Sequence, residues 1–245
     1  MSLAGRGIVV TRPRELAEPF ARLLERRGAR AFVFPAIEIQ PLPAPAALAQ
    51  LADFNIAVFI SPSAVRVSLP AISPWPRGVT AAAVGSGTRR ELERAGVAPV
   101  IAPSVGADSE ALAALPEMQD LRGKRVLIVR GEGGRALLGE TLAARGARVE
   151  YAECYRRVRP VTDAAPLLAS WRAGQVHAVT LSSAEALDNF IAMTGPQLSA
   201  ALPLFVPHQR VSAHARSRGL RELVVAGAGD DEMIERLVAY FDERD

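Results

Sequence analysis

Gly5-Arg6-Gly7-Ile8-Val9-Val10-Thr11-Arg12 and Gly123-Lys124-Arg125-Val126-Leu127-Ile128-Val129-Arg130 are two copies of one pattern, an apolar run entered from glycine and left through arginine. Gly28-Ala29-Arg30 and Gly146-Ala147-Arg148 follow at matching places, with no gap needed. The register continues more loosely. Ala57-Val58-Phe59-Ile60-Ser61 resembles Ala178-Val179-Thr180-Leu181-Ser182, and Ser109-Glu110-Ala111-Leu112 resembles Asp231-Glu232-Met233-Ile234. The chain therefore reads as two similar halves, and a ligand site between them is the first expectation.

Outward from the repeat, short β-branched runs alternate with amphipathic stretches. After the run at 8–11, Leu16, Phe20, Leu23 and Leu24 fall on one helical stripe, which Gly28 ends. Further strands are expected near 31–38, 56–60, 80–84, 98–101, 125–129, 148–155, 177–181, 204–206 and 222–225. A last helix would bury Met233, Ile234, Leu237, Val238 and Phe241. Such alternation predicts an α/β fold of parallel sheets covered by helices. Ile37-Glu38-Ile39-Gln40-Pro41 and Cys154-Tyr155-Arg156-Arg157-Val158-Arg159-Pro160 run into proline at matching places, as extended connectors do.

Composition narrows the function. The 245 residues are 49% hydrophobic and 22% charged, a globular balance, and no apolar stretch reaches the roughly 18 residues of a membrane span. The opening Met1-Ser2-Leu3-Ala4-Gly5-Arg6-Gly7 lacks the regions of a signal peptide, so the expected location is cytoplasmic, with no membrane partner. Cys154 is the sole cysteine, which excludes an intrachain disulfide and a cysteine-based metal site. With 29 basic residues against 26 acidic ones and no long run of either, nucleic acid is not the expected partner. A small anion fits better.

Ligands of parallel sheets gather at the carboxyl ends of strands, where helix N-termini point outward. Those positions here hold Thr11-Arg12-Pro13, Ser61-Pro62-Ser63, Gly85-Ser86-Gly87-Thr88, Arg130-Gly131-Glu132-Gly133-Gly134-Arg135, Ser182-Ser183 and Pro207-His208-Gln209-Arg210. Glycine admits a ligand to the backbone, hydroxyls cap helices or donate, and arginine grips carboxylates with two bonds. The set resembles a receptor for several carboxylates or phosphates, although each Ser, Thr or Gly alone equally suits a helix cap. Gly131-Glu132-Gly133-Gly134-Arg135-Ala136 also satisfies a dinucleotide turn, with Glu150 and Glu153 near the distance of a ribose-binding acid. Arg130 and Arg135 within it, and the glycine-free loop at 11–13, speak against that use. No phosphate-binding P-loop occurs, and three scattered histidines make neither a triad nor a metal site. His177 is expected on a strand, His214 on a helix face, and His208 at a strand end. Tyr155 stands in a connector beside Arg156 and Arg157, where its phenol either packs or donates to a ligand.

In this order, Thr11-Arg12-Pro13, Ser61-Pro62-Ser63-Ala64-Val65, Val84-Gly85-Ser86-Gly87-Thr88, Asp108-Ser109-Glu110-Ala111-Leu112, Arg130 to Arg135, Tyr155-Arg156-Arg157 and Ser182-Ser183 resemble the uroporphyrinogen-III synthase family. Leu204-Phe205-Val206-Pro207-His208 resembles its proteobacterial branch. The resemblance implies two similar α/β domains joined by a two-stranded connector, with the first β-α-β unit crossing over. Residues 1–36 plus 160–245 would form one domain and 43–152 the other, with 37–42 and 153–159 as connector strands. It implies a monomer that needs no cofactor and closes hydroxymethylbilane to uroporphyrinogen III with loss of water and inversion of the last pyrrole ring. Tyr155 would assist departure of the hydroxyl. Ser182 and Ser183 would line the cleft. Arg210 departs from the family, many of whose members have threonine in this loop, so a carboxylate clamp is expected there instead. A dinucleotide-dependent oxidoreductase and a non-enzymatic two-lobed anion-binding protein are the alternatives left by the residues alone.

Overall fold

A computed structural model describes residues 2–104, 106, 108–134 and 136–244. The chain forms two compact units, Met1–Glu38 with Val158–Asp245, and Ile39–Arg157. In chain order the first unit opens with β1 (Gly7–Val10), α1 (Arg14–Arg26) and β2 (Arg30–Val33). The second follows with β3 (Glu38–Pro41), α2 (Ala46–Ala49), β4 (Ile56–Phe59), α3 (Pro62–Ser68), β5 (Thr80–Ala83), α4 (Ser86–Arg94), β6 (Val100–Ile101), α5 (Ser109–Ala113), β7 (Arg125–Gly131), α6 (Leu137–Ala144) and β8 (Arg148–Val158). The first unit then resumes with α7 (Ala165–Arg172), β9 (Ala178–Thr180), α8 (Ala184–Thr194), α9 (Pro196–Ala201), β10 (Leu204–Val206), α10 (Gln209–Ser217), β11 (Leu223–Val225) and α11 (Asp230–Asp242). No helix is long and apolar enough to cross a membrane, among the described residues.

The repeat is physical. Gly28 and Gly146, at φ of 87° and 90°, end α1 and α6 in the left-handed conformation that glycine adopts without steric cost. In both, the amide after the glycine donates five residues back, Ala29 to Leu24 and Ala147 to Leu142, a Schellman closure. The next amide then reaches the neighbouring strand's start, Arg30 to Arg6 and Arg148 to Lys124, each at 2.8 Å. The same local chemistry at matching residues thus builds the same helix-to-strand closure in both, although α1 has 13 residues and α6 has 8.

Their destinations differ. The five-stranded sheet runs β11-β10-β9-β1-β2, so the N-terminal β-α-β unit completes a sheet whose other strands lie in the last third of the chain. The pairs between β1 and β2, β1 and β9, β9 and β10, and β10 and β11 are all parallel. The six-stranded sheet runs β3-β8-β7-β4-β5-β6, with parallel pairing from β8 through to β6. At its edge β3 and β8 form the two-stranded connector. The expected run over 31–38 is not one strand: β2 stops at Val33, with Phe34 and Ala36 still donating to the Val10 and Thr11 carbonyls, and β3 starts at Glu38.

Both faces of each sheet are apolar, as buried parallel strands require. Ala57, Phe59, Leu127 and Val129 pack on one side of the six-stranded sheet, and Ile56, Val58, Val126 and Ile128 on the other. In the first unit α11 buries Met233, Ile234, Leu237, Val238 and Phe241 as expected, and Tyr240 as well. The stripe on α1 is Ala17, Phe20, Ala21 and Leu24, with Leu16 and Leu23 only half-buried at its margins.

His177 precedes β9 rather than lying within it. Its Nδ1 accepts the Gly7 N–H at 2.8 Å, stitching the starts of β1 and β9. Accepting there requires a neutral ring nitrogen. Burial, and then the nearby positive charge of Arg6, lower its pKa from the ordinary 6.5. A histidine whose folded pKa is depressed contributes stability that is fully present above the ordinary value and is lost as pH falls below it. Between about pH 7.5 and pH 5, the melting temperature of the parent is therefore expected to fall further than that of His177→Asn. Equal falls in parallel thermal melts would remove His177 as a source of acid sensitivity.

Candidate functional site

The carboxyl edge of the six-stranded sheet is organised by Tyr155. Arg130 pairs with Glu153 across β7 and β8, but Gly131 pairs with Tyr155, so Cys154 is an extra residue in a β-bulge. A bulge sends consecutive side chains to one side, and Cys154 and Tyr155 both enter the same core cluster. From β8 the phenol must pass the end of β7 to reach β4, two strand spacings of about 4.8 Å away. It does so over Gly131, where a Cβ would stand 2.6 Å from the ring. The hydroxyl then meets Ser61 Oγ at 3.0 Å, just after β4. Ser61 Oγ also accepts the Ala64 N–H as the cap of α3, which fixes the serine. With Tyr155 only 3% exposed, its hydroxyl is a placed group rather than a mobile one.

Cys154 has no nucleophilic part here: burial pushes its thiol up to about 11, and it is held against the Arg130 carbonyl. The glycine turn that follows β7 is fastened from the sheet. Arg130 Nη1 donates to the Gly134 carbonyl at 3.0 Å, and the Glu132 N–H donates to the Tyr155 carbonyl at 2.7 Å. Glu153 takes Arg130 Nε and Nη2, and Glu150 takes Arg125, so both acids considered for a ribose are occupied by arginines. Arg135 lies outside the described residues.

Further along this edge, α4 starts at Gly85-Ser86 without a side-chain cap, leaving first-turn N–H groups for another acceptor. Ser86 is exposed, whereas Thr88 and Ser63 are buried within their helices' first turns.

In the first unit the carboxyl edge holds Thr11, Arg12, Ser182, Ser183, His208 and Arg210. Thr11 is fully buried and donates its hydroxyl to the Thr180 carbonyl, while Thr180 donates to Val9, so this threonine joins β1 to β9 instead of facing a ligand. Arg12 is paired with Asp230 at the start of α11 and lies 4.2 Å over the Phe20 ring. The clamp expected of it is taken by a carboxylate of the protein itself. Ser183 caps α8 by accepting the Ala186 N–H at 3.0 Å, and Ser182 beside it is exposed. His208 begins α10 without capping it, and Arg210 stands exposed in its first turn. By contrast, α11 opens with Asp230, Asp231 and Glu232 and so repels anions. His214 lies on α10 as expected, bonded to Asp188 at 2.9 Å. Among the described residues no three His, Cys, Asp or Glu side chains are grouped to hold a metal.

Sequence reasoning named Ser61, Gly131 and Tyr155 separately and missed that they form one arrangement. A glycine at a strand end opposite a connector tyrosine was the available signal. Asp230 and Glu153 were missed as arginine partners.

A family model described as uroporphyrinogen-III synthase HemD matches residues 18–235. The chain belongs to the uroporphyrinogen-III synthase family. The synthase of Escherichia coli strain K12 is 34% identical over 249 aligned residues, covering 94% of this chain and 98% of that one. The synthase of Chlorobaculum parvum is 28% identical, over 77% of this chain and 79% of that one. Two solved members share the fold. A mutant uroporphyrinogen III synthase from the extreme thermophile Thermus thermophilus gives a TM-score of 0.61 at 19% identity, with 97% of this chain and 99% of that one covered. The Helicobacter pylori enzyme gives 0.61 at 14%, with 96% and 99% covered. Family membership sets aside the dinucleotide oxidoreductase and the non-enzymatic binding protein.

Proposed function

We propose that this chain converts hydroxymethylbilane to uroporphyrinogen III, eliminating water and closing the macrocycle with the last pyrrole ring inverted. Membership of the synthase family supports the reaction, and the Tyr155–Ser61 contact at a sheet's carboxyl edge is the observation that carries the mechanism. The bilane already loses water and closes unaided, but to the uninverted isomer, so the enzyme's task is to select which bond forms. That is a positioning problem.

Ser61 is half-buried and Tyr155 lies behind it, so the proton passes outward. Ser61 Oγ–H donates to the departing hydroxyl while Tyr155 O–H donates to Ser61. The carbon–oxygen bond breaks with its electron pair on oxygen, which leaves as water; the pyrrole that carried it supplies the electrons as an azafulvenium cation. The last ring's carbon forms the closing bond to that cation, and the proton this ring loses on regaining aromaticity returns through Ser61 to Tyr155. Groups suited to the substrate's acetates and propionates are, in the second unit, the first-turn N–H groups of α4, the Ser86 hydroxyl and the 131–134 turn, and, in the first unit, the first-turn N–H groups of α10, the Ser182 hydroxyl and the Arg210 guanidinium. Charge-assisted hydrogen bonds of roughly 1.5–3 kcal/mol each, summed over several carboxylates, are enough to fix the terminal rings. Arg12 and Arg130 assist by ordering their own loops. The working form we propose is a monomer without metal or organic cofactor, with neither nucleic acid nor membrane as partner, acting in the cytoplasm.

Freshly generated hydroxymethylbilane supplied to chelator-treated protein is expected to yield the type III isomer, and Tyr155→Phe is expected to lower turnover by roughly ten- to a hundredfold with the fold retained. Only type I product above the protein-free rate would overturn the function. Undiminished turnover in Tyr155→Phe would overturn the proton route alone.

A further inference from the structure

Tyr151 and Glu153 stand two residues apart on β8, so both side chains leave the same face of the strand, opposite Ala152 and Cys154. Arg130 on β7 is directly across from Glu153 and diagonal to Tyr151. Its guanidinium is gripped on three sides. Glu153 Oε1 accepts from Nε at 3.1 Å and from Nη2 at 2.8 Å, and the Tyr151 ring lies 4.2 Å beneath the central carbon. Nη1 then points along the strand to the Gly134 carbonyl. The side chain is 13% exposed, far less than an ordinary surface arginine, and its orientation is thereby fixed. Gly139 on α6 completes the seat, since a Cβ there would fall 1.9 Å from the Tyr151 hydroxyl.

We infer that Glu153 and Tyr151 are positioning residues for substrate binding: acting through Arg130, they hold the 131–134 turn in the shape that receives a substrate carboxylate. The inference rests on the synthase reading above and adds two residues to it. Glu132 is the sole side chain between Gly131 and Gly134, and its N–H is held by the Tyr155 carbonyl. Gly133, at φ of 72°, and Gly134 add no side chain beyond it, so the far half of the turn is set by what holds the Gly134 carbonyl. An unfastened glycine turn would order only on binding, and each residue fixed then costs roughly 1–2 kcal/mol. Fastening beforehand shifts that cost from binding to folding, so loss of the fastening raises KM and leaves kcat.

Glu153→Ala is accordingly expected to raise KM roughly tenfold with kcat within about twofold, and to speed hydrogen exchange of the turn amides of Gly133 and Gly134. Glu153→Gln, which keeps an acceptor oxygen, should recover most of both. Tyr151→Leu should produce a smaller rise. Because Glu153 is more than one third exposed, the melting temperature should move little in any of them. Turn amides that exchange at the parental rate in Glu153→Ala, or a fall in kcat with KM unchanged, would overturn the inference. The parent's own production of the type III isomer is measured in the same assay, so failure of the synthase reading shows separately as a parent without that product.

Discussion

Gly131→Ala is expected to lower turnover by about a hundredfold or more, beyond the loss on removing the tyrosine hydroxyl itself. The added Cβ would sit 2.6 Å from two ring carbons of Tyr155 and 3.1 Å from its hydroxyl oxygen. None of these can yield cheaply. The ring is buried in the core, its backbone is held by the bulge, and β7 lies between β4 and β8 in the sheet. The phenol must swing away from Ser61 or β8 must move, and a displacement of about 1 Å at a reacting group can cost a hundredfold. Overpacking of this kind also costs about 1–3 kcal/mol of stability, a fall of several degrees in melting temperature for a chain of this size. Gly123→Ala separates the two effects. Gly123, just before β7, has open space around it but a positive φ, so its substitution strains the backbone without touching the ring. Tyr155→Phe added to Gly131→Ala should cost little more, since the hydroxyl would already be misplaced. Turnover within about twofold of the parent in Gly131→Ala, with the ring's displacement established by structure, would show that the reaction does not use the Tyr155–Ser61 contact.

What was legible in the sequence follows from range. The paired glycines at 5 and 123 and at 28 and 146 act through their immediate neighbours, so equal residues produced equal turns and the repeat could be read directly. Helix caps are equally local: Ser61 and Ser183 accept amides three residues on, as their places before helices suggested. The arginines were harder. Arg12 meets a carboxylate 218 residues away in sequence, and nothing near Arg12 announces Asp230. Arg130 and Glu153 are only 23 apart, but their pairing depends on strand register. The bulge at Cys154 has no residue signature of its own, and without it an alternating strand would place Tyr155 on the opposite face from Cys154 and away from Ser61. The crossing of the first β-α-β unit to β9 likewise follows from no local feature. It came through resemblance, because two strand-helix-strand units with the same closure can be completed by either half's strands.

That ambiguity sets the last expected result. We propose that the two compact units are also the folding units, and a fragment of residues 39–157 is then expected to melt cooperatively while residues 1–122 are not. The first fragment keeps β4 to β8 whole but for the last residue of β8, nearly all of β3, and both apolar clusters that cover the sheet's two faces. The second keeps β1 and β2 without β9, β10 and β11, so Ile8, Val10, Phe20 and Leu24 lose Phe205, Leu237 and Phe241 from their cluster. It also keeps β4 without β7, stripping Val126, Leu127, Ile128 and Val129 from the middle of the other sheet. Two sheet edges and several hundred Å² of apolar surface would stand open, which favours association over folding. Circular dichroism melts of the two fragments decide between the arrangements. A cooperative transition in 1–122 with none in 39–157 would mean that the halves of the repeat, taken in succession, are the units that fold.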